Sequence, residues 1–176
     1  PAAGASDYPF HRSSMWRLCG IKISMSGRQA LFLATLGSAL LMAGAYAFQH
    51  IGGMAPCKMC IWQRYPHVIA IAIGAIALAS GARWLALFGA AAAATTSAIG
   101  FYHAGVEQNW WEGPSTCSSG AIDNISADAL LDQILSAPLV RCDEIPWEMF
   151  GISMAGWNGL VSLVLVGLWL TAFRRT

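Results

Sequence analysis

The sequence has few charged side chains. Only 11% of its 176 residues are Asp, Glu, Lys or Arg, whereas about 25% is usual in soluble domains. The formal net charge of +1 excludes a basic nucleic-acid-binding module, and the hydrophobic content of 56% excludes an intrinsically disordered chain. Together with a mean hydropathy of +0.53, this composition indicates a membrane protein rather than a water-soluble globule.

Charge is absent from four stretches that are long enough to cross a bilayer. A spanning helix needs about 20 mainly apolar residues, and its backbone polar groups must hydrogen-bond within the segment. The stretches are rich in Ala, Leu, Ile and Gly and lack the alternation of membrane β-barrel strands. The sequence therefore predicts an all-α membrane protein, a four-transmembrane-helix bundle, with spans at 30–48, 65–80, 84–102 and 157–173.

The basic residues indicate the orientation of this bundle. Seven of the ten Lys and Arg residues lie before the first span, between the second and third, or after the fourth. The positive-inside rule assigns these regions to the cytoplasm. We expect a basic cytoplasmic leader at 1–29, the transmembrane domain at 30–173 and a basic cytoplasmic tail at 174–176. Two outer loops are predicted at about 49–64 and 103–156, and the second carries eight of the nine acidic residues.

One further element is predicted within the second outer loop. Ser126 is an effective helix N-cap, and apolar residues recur at helical spacing from there to Pro138. A helix this short is marginal in water on its own. The pattern predicts a short amphipathic helix that either covers the core of the loop or lies on the membrane surface.

The predicted topology sorts the five cysteines. Cys19 lies in the leader, where cytosolic thiols stay reduced. Cys57 and Cys60 form a Cys-x-x-Cys pair before the second span, and Cys117 and Cys142 lie 25 positions apart in the second outer loop. Two pairs thus face the oxidising compartment. This arrangement favours thiol–disulfide exchange, because a nearby second thiol resolves a mixed disulfide rapidly.

Other interpretations of the outer cysteines stay open at this point. Four cysteines could bind zinc, but Cys117 and Cys142 are too far apart in the chain for the usual second half-site. They could also form two structural disulfides that brace the loops of a non-catalytic membrane scaffold. The small Cys-x-x-Cys ring is strained and labile, which favours the redox interpretation. Covalent haem attachment is excluded because Ile61, not His, follows Cys60.

Arg64 follows Cys60 by four residues, at the entrance to the second span. If this segment is helical, the two side chains share a face. The guanidinium and the helix N-terminus would then stabilise the Cys60 thiolate. The guanidinium could also donate hydrogen bonds to a carbonyl oxygen of a ligand dissolved in the membrane. The alternative is that Arg64 merely extends to the membrane interface.

Taken together, these motifs resemble the DsbB family of bacterial inner-membrane thiol oxidoreductases. The resemblance covers about residues 30–173 and does not extend to the basic leader. It begins with the block CKMCIWQR and continues with YHAGVE at the end of the third span. The matching residues are 57–64, 102–107, Trp111, Gly113, Pro114, Cys117, 141–142, Trp147, Phe150, Gly151 and 157–158.

The resemblance implies a role for each outer cysteine. Cys117 would form a mixed disulfide with a reduced DsbA-like periplasmic thioredoxin-fold protein. Cys142 would be the partner of Cys117 and would then exchange with Cys57. Cys60 would hand the electron pair to a quinone, either ubiquinone or menaquinone, from the membrane pool, and Arg64 would lie close to that quinone.

Two histidines are further candidates for quinone binding. His103 falls near a family histidine at the outer end of the third span; without the resemblance, a hydrogen-bonded interfacial histidine is the alternative. His67 lies three residues after Arg64 and could line a quinone pocket or face a neighbouring helix.

The protein that the resemblance implies is a multi-pass inner-membrane enzyme with both termini cytoplasmic and both cysteine loops periplasmic. Its partners would be the carrier, the quinone pool and the lipid bilayer, without nucleic acid or metal.

The vitamin K epoxide reductase family is the nearest rival with the same chemistry. Its members are also four-helix membrane oxidoreductases that contain a Cys-x-x-Cys. In that family the motif lies late in the chain, near the last helices. Here Cys57 and Cys60 precede the second span, so the chain order disfavours this rival.

Overall fold

The computed structural model describes residues 25–114, 117, 126, 131, 135 and 140–175. Within these residues, four long helices are each apolar enough to cross a membrane, and they pack as a bundle. A two-stranded antiparallel hairpin, β1 (Glu148–Met149) and β2 (Ile152–Ser153), precedes the fourth helix. The helices are α1 (Gly27–His50), α2 (Lys58–Ser80), α3 (Leu85–Glu107) and α4 (Met154–Arg175). The predicted four-helix membrane bundle is confirmed.

The helices extend beyond the charge-free stretches of the sequence. In particular, α2 already begins at Lys58, and α3 continues to Glu107. A helix satisfies its own backbone hydrogen bonds, so it continues out of the hydrocarbon layer into the interface, where charged side chains are tolerated. As a result, Cys60, Arg64 and His103 lie on helices and not in loops.

Local capping explains where two of the helices begin and where α2 ends. At the start of α1, the Ser26 hydroxyl accepts from the Gln29 backbone N–H at 3.2 Å, and the Gln29 side chain accepts from the Ser26 N–H at 2.9 Å. At the start of α2, the Cys57 sulfur accepts from the Cys60 N–H at 3.2 Å. Gly81 ends α2 with a φ of +71°, a left-handed conformation that favours glycine.

Each helix packs mainly against two neighbours, in the cyclic order α1, α2, α3, α4. Small residues allow the helices to approach closely. A Cβ on Gly100 of α3 would lie 2.8 Å from the Gly159 nitrogen of α4. Near the other end of the same interface, Gly89 accommodates the fully buried Trp169 ring. The interior therefore depends on close contact between backbones as much as on large apolar side chains.

Large apolar side chains cover the outside of the helices. In water such a surface would promote aggregation, whereas in a bilayer it contacts lipid chains. This distribution agrees with four membrane-spanning helices. Exposed examples are Phe32, Leu40, Val68, Ile69, Ile76, Phe88, Leu163 and Val164.

The two ends of the bundle differ in charge. At one end, Arg175 donates to the Met25 carbonyl at 3.0 Å, and the Arg83 guanidinium lies 6.0 Å from the Phe173 ring centre. We name this the basic end. The four outer cysteines, the hairpin and the acidic residues that the structure describes belong to the opposite end. Most of the predicted helix between Ser126 and Pro138, together with Cys19, lies outside the described residues.

Candidate redox site

All four outer cysteines come together at the end of the bundle opposite the basic end. Cys57 and Cys60 come from the start of α2, whereas Cys117 and Cys142 come from the long segment between α3 and α4. The Cys142 N–H donates to the Cys117 carbonyl at 2.9 Å, so the two distant positions are neighbours. We name this group the cysteine cluster. Its buried members are Cys57, Met59, Val106, Cys117 and Cys142, with Cys60 and Val140 packed against them.

Within the Cys-x-x-Cys pair the two sulfurs differ. The Cys57 sulfur is buried and donates to the Cys60 sulfur at 2.9 Å, while it accepts from the Cys60 N–H. This contact with Cys60, together with burial, raises the pKa of the Cys57 thiol above its usual range. In the reduced pair Cys57 therefore keeps its proton, and Cys60 accepts the hydrogen bond.

The loop cysteine Cys142 lies within reach of Cys57. Its sulfur, the Cys57 sulfur and a ring nitrogen of His103 all lie within 4.8 Å of one another, and the three residues are buried. Such proximity is what thiol–disulfide exchange between the two cysteine pairs requires, since the attacking and attacked sulfurs must meet.

His103 faces the cysteine cluster from the last turns of α3. Its Nε2 lies 3.6 Å from the Cys57 sulfur and 3.8 Å from Glu107 Oε1. Its Nδ1 lies 2.9 Å from the side-chain nitrogen of Gln63. Both His103 and Glu107 are almost fully buried. The structure thus places His103 beside sulfur, and it does not belong to the described lining of the adjacent cavity.

A cavity of about 310 Å³ adjoins the cluster between α1, α2 and α4. Most of its wall is apolar or aromatic, and two of the lining rings, Phe48 and Trp147, contact each other with their centres 5.3 Å apart. The volume and the lining are typical of small-molecule sites. The polar side chains of the lining are Cys60, Gln63, Arg64, His67 and Asn158.

Arg64 is held against α1 at this cavity. It donates to the Gln49 side chain at 2.6 Å and to the Ala45 carbonyl at 3.4 Å, and its guanidinium lies 5.0 Å from the Tyr46 ring centre. A guanidinium has five N–H donors, so further donors remain for a ligand. Cys60 and Arg64 line the same cavity, in agreement with their shared helix face.

A chain of polar side chains, buried except for the half-buried Asn158, joins the cavity to the cluster. His67 Nε2 lies 3.0 Å from the Asn158 side-chain oxygen, and Asn158 donates to the Gln63 side chain at 2.7 Å. Thr96 of α3 contacts both Asn158 and the Gln63 backbone. The spacing of residues in the sequence predicts no role for Gln63, Thr96 or Asn158. The sequence does contain a signal for them, because a polar residue within an apolar span is costly unless it has a hydrogen-bond partner.

Arg141 and Asp143 form the turn that carries Cys142. Arg141 donates to both carboxylate oxygens of Asp143, at 2.9 and 2.6 Å. The hydrogen-bonded guanidinium holds the pKa of Asp143 below its usual range. A bidentate pair of this kind fixes direction as well as distance, so it orients the backbone next to Cys142.

Comparison with known proteins identifies the family. The family model described as disulfide bond formation protein DsbB matches residues 27–172. This chain is also similar to proteins named disulfide bond formation protein B. It is 31% identical to the one from Albidiferax ferrireducens, 32% to the one from Verminephrobacter eiseniae and 33% to the one from Herminiimonas arsenicoxydans. Each alignment covers 85% of this chain and 92%, 87% and 98% of the respective relative. No solved structure matches significantly. The chain therefore belongs to the DsbB family of disulfide bond formation proteins.

Proposed function

We propose that this protein reoxidises the dithiol of a DsbA-like periplasmic thioredoxin-fold carrier and passes the electrons to a membrane quinone. Family membership gives the general activity, disulfide bond formation by an oxidoreductase. The observation that carries the finer proposal is the order of the sulfurs. Cys142 lies beside Cys57, Cys57 contacts Cys60, and Cys60 lines the cavity.

The proposed exchange begins at the long loop. With Cys117 and Cys142 joined as a disulfide, a carrier thiolate attacks Cys117, forms a mixed disulfide and releases the Cys142 thiolate. The Cys142 thiolate then attacks Cys57 in a Cys57–Cys60 disulfide. A Cys57–Cys142 bond forms, the Cys57–Cys60 bond breaks, and Cys60 leaves as the thiolate. The electron pair has then moved from the carrier to the sulfur that faces the cavity.

The second half of the cycle returns the sulfurs to their starting bonds. The second thiol of the carrier attacks the carrier sulfur in the mixed disulfide, so the carrier leaves in its oxidised form and Cys117 is released as the thiolate. The Cys117 thiolate then attacks Cys142 in the Cys57–Cys142 disulfide, which restores the Cys117–Cys142 bond and releases Cys57 as a thiol. The reduced Cys57 and Cys60 would give two electrons and two protons to the quinone, and the Cys57–Cys60 disulfide would form again. A quinone bound in the cavity supplies the acceptor for the two electrons and two protons that the carrier dithiol loses overall.

The cavity fits a quinone in size and chemistry. Its volume of about 310 Å³ suits a single ring, and its apolar walls suit a lipid-soluble molecule. Arg64 provides hydrogen-bond donors for a carbonyl oxygen, and His67 provides a further polar contact. We propose both as quinone-binding residues. For His103 we propose a place beside the Cys57 sulfur, since that is its contact in this structure.

The proposed orientation places both termini in the cytoplasm and the cysteine cluster in the periplasm. Arg28, Arg83, Arg174 and Arg175 belong to the basic end of the bundle, and the cysteines belong to the other. This distribution supports the proposal through the positive-inside rule. The resulting protein is an electron carrier of the bacterial inner membrane.

Steady-state kinetics with single cysteine variants test the proposal. Purified protein is given a reduced DsbA-like carrier and ubiquinone without oxygen, and quinone reduction is followed by absorbance. We expect Cys60→Ala and Cys117→Ala each to abolish quinone reduction by the carrier. With dithiothreitol in place of the carrier, Cys117→Ala should keep activity and Cys60→Ala should not. Full quinone reduction by Cys60→Ala would contradict the proposal, and inactivity of the unaltered protein would favour a structural scaffold.

A further inference from the structure

A chain of hydrogen bonds with a defined direction ends at His103. The Thr96 hydroxyl donates to the Gln63 backbone carbonyl at 3.0 Å, so its oxygen is available to accept from the Asn158 side-chain nitrogen at 3.2 Å. The same nitrogen donates to Gln63 Oε1 at 2.7 Å. Gln63 therefore turns its side-chain nitrogen towards His103 Nδ1, 2.9 Å away. Thr96, Gln63 and His103 are buried, so water does not compete for these groups.

The direction of this chain decides which nitrogen of His103 carries the proton. A side-chain amide nitrogen only donates, so His103 Nδ1 accepts the hydrogen bond from Gln63. The neutral imidazole then carries its proton on Nε2. That nitrogen faces the Cys57 sulfur at 3.6 Å and Glu107 Oε1 at 3.8 Å, both of which can accept. The Thr96 hydroxyl determines the orientation of the Asn158 and Gln63 side-chain amides. Because it donates its proton to the Gln63 backbone carbonyl, it can only accept from Asn158.

We infer that Gln63 and Asn158 are positioning residues that hold His103 as a hydrogen-bond donor to the cysteine cluster, and thereby prevent it from acting as a metal ligand. The inference deepens the proposed function, because a donor at Nε2 stabilises negative charge on the sulfurs of Cys57 and Cys142 during exchange. The protonation of His103 and the affinity for metal are measured without quinone or carrier. They can therefore fail or hold independently of the electron route.

The need for such a device follows from the geometry of the cluster. Two thiols and an imidazole within 4.8 Å of one another form three ligands of a tetrahedral zinc site, and Cys57 and His103 are already 3.6 Å apart. Both thiols become available each time the cysteines are reduced. Zinc binding through Nε2 would move the imidazole proton to Nδ1, where a hydrogen-bond acceptor is then required. The Gln63 nitrogen at that position is a donor, so it opposes the metal-bound form.

Nuclear magnetic resonance of the imidazole nitrogens tests the inference directly. The reduced protein, labelled with ¹⁵N-histidine and held in micelles, is compared with Gln63→Glu, and His103→Asn assigns the signals. We expect the Nε2-protonated form in the unaltered protein. In Gln63→Glu one carboxylate oxygen still accepts from Asn158, and the other accepts from His103, so the proton should move to Nδ1. An Nδ1-protonated His103 in the unaltered protein would overturn the inference.

Zinc titration provides a second and independent readout. With Zn²⁺ alone and the reduced protein, we expect Gln63→Glu to bind about 10–100-fold more tightly than the unaltered protein, the usual effect of an outer-shell partner. The gain should disappear when Cys57→Ala is added. Equal zinc affinity of Gln63→Glu and the unaltered protein would contradict the inference. Ser97→Ala is the matched control. It removes a buried hydrogen bond between α3 and α4, from the Ser97 hydroxyl to the Gly159 carbonyl at 2.8 Å, that does not belong to the chain of hydrogen bonds ending at His103.

A second substitution keeps the inference testable if Gln63→Glu does not fold. In Asn158→Asp the carboxylate cannot donate to Gln63 Oε1, so the Gln63 amide is released to rotate and present its oxygen to His103. The same movement of the proton to Nδ1 and a smaller gain in zinc affinity are expected. Unchanged protonation of His103 in Asn158→Asp would show that the amide chain does not control it.

Discussion

At the scale of single residues, the cysteine pair is asymmetric. Cys57 is the N-cap of α2 and is enclosed by Cys142 and His103, whereas Cys60, one turn later, lines the cavity. Burial and the contact with Cys60 raise the pKa of Cys57. One sulfur is thus suited to exchange with another cysteine, and the other to transfer electrons to a molecule in the cavity. The Cys-x-x-Cys spacing alone did not contain this difference, because it arises from what packs against each sulfur.

Substitution of Arg64 tests its proposed role in quinone binding at this scale. Arg64→Met keeps the length and the apolar stem but removes the donors, and a hydrogen bond from a charged group is worth about 1.5–3 kcal/mol. We expect the KM for quinone to rise by roughly 10–100-fold, while mixed-disulfide formation with the carrier is unchanged. Steady-state kinetics and gel assays of the mixed disulfide measure the two effects. Arg28→Met, at the basic end, is the control; an unaltered quinone KM in Arg64→Met would contradict the role.

At the scale of elements, close contact between α3 and α4 fixes the position of Asn158 relative to the other residues of the site. Gly100 faces the Gly159 backbone, and Asn158, the residue before Gly159, carries the hydrogen bonds to Gln63. A displacement of α4 would therefore move the polar chain as well as the apolar interior. Packing and site geometry depend on the same interface.

A pair of glycine substitutions tests this dependence. In Gly100→Ala the added Cβ would lie 2.8 Å from a backbone nitrogen of α4, so one helix must shift, at a cost of about 1–3 kcal/mol. Gly167→Ala adds the same group where nothing lies within 4 Å. We expect Gly100→Ala to lower the stability of the bundle towards detergent unfolding, followed by circular dichroism, and Gly167→Ala to leave it unchanged. Equal stabilities would show that the close contact is not essential.

The sequence predicted the positions of the helices well, but it did not predict the hydrogen bonds between them. Charge-free stretches locate the spans because hydrocarbon excludes charge, and this signal is local. The same signal misses the first turns of α2, where Lys58 and Arg64 interrupt the apolar run. The Asn158–Gln63 hydrogen bond joins residues 95 positions apart, and it depends on which helices pack together. No spacing rule contains that information, so the sequence does not predict which residues Thr96 and Asn158 contact.

At the scale of the whole molecule, the two ends of the bundle differ in composition. One end carries Arg28, Arg83, Arg174 and Arg175, and the other carries the buried sulfurs and the adjoining cavity. In the proposed function, the soluble carrier and the lipid-soluble acceptor would thus react at the same end of the bundle. The carrier would approach from water and the acceptor from the membrane. The proposal requires this end to face the periplasm.

Labelling in intact cells tests the orientation. A membrane-impermeant thiol reagent should modify a Ser26→Cys variant, in a background without the native cysteines, only after the inner membrane is opened. A Glu112→Cys variant in the same background should be labelled in cells whose outer membrane alone is permeabilised. Ser26 lies at the basic end and Glu112 follows α3 at the other end. The reverse pattern would contradict the proposed orientation.

The electron route itself is tested most directly in a single turnover. A Cys117→Ser/Cys142→Ser variant, reduced and then freed of reductant without oxygen, is mixed with one equivalent of ubiquinone. We expect one equivalent of quinone to be reduced while a Cys57–Cys60 disulfide appears in peptide mass analysis, and no reduction when Cys60→Ser is added. Quinone reduction that persists without Cys60, or a reduced pair that leaves the quinone unchanged, would contradict transfer from this sulfur to the cavity.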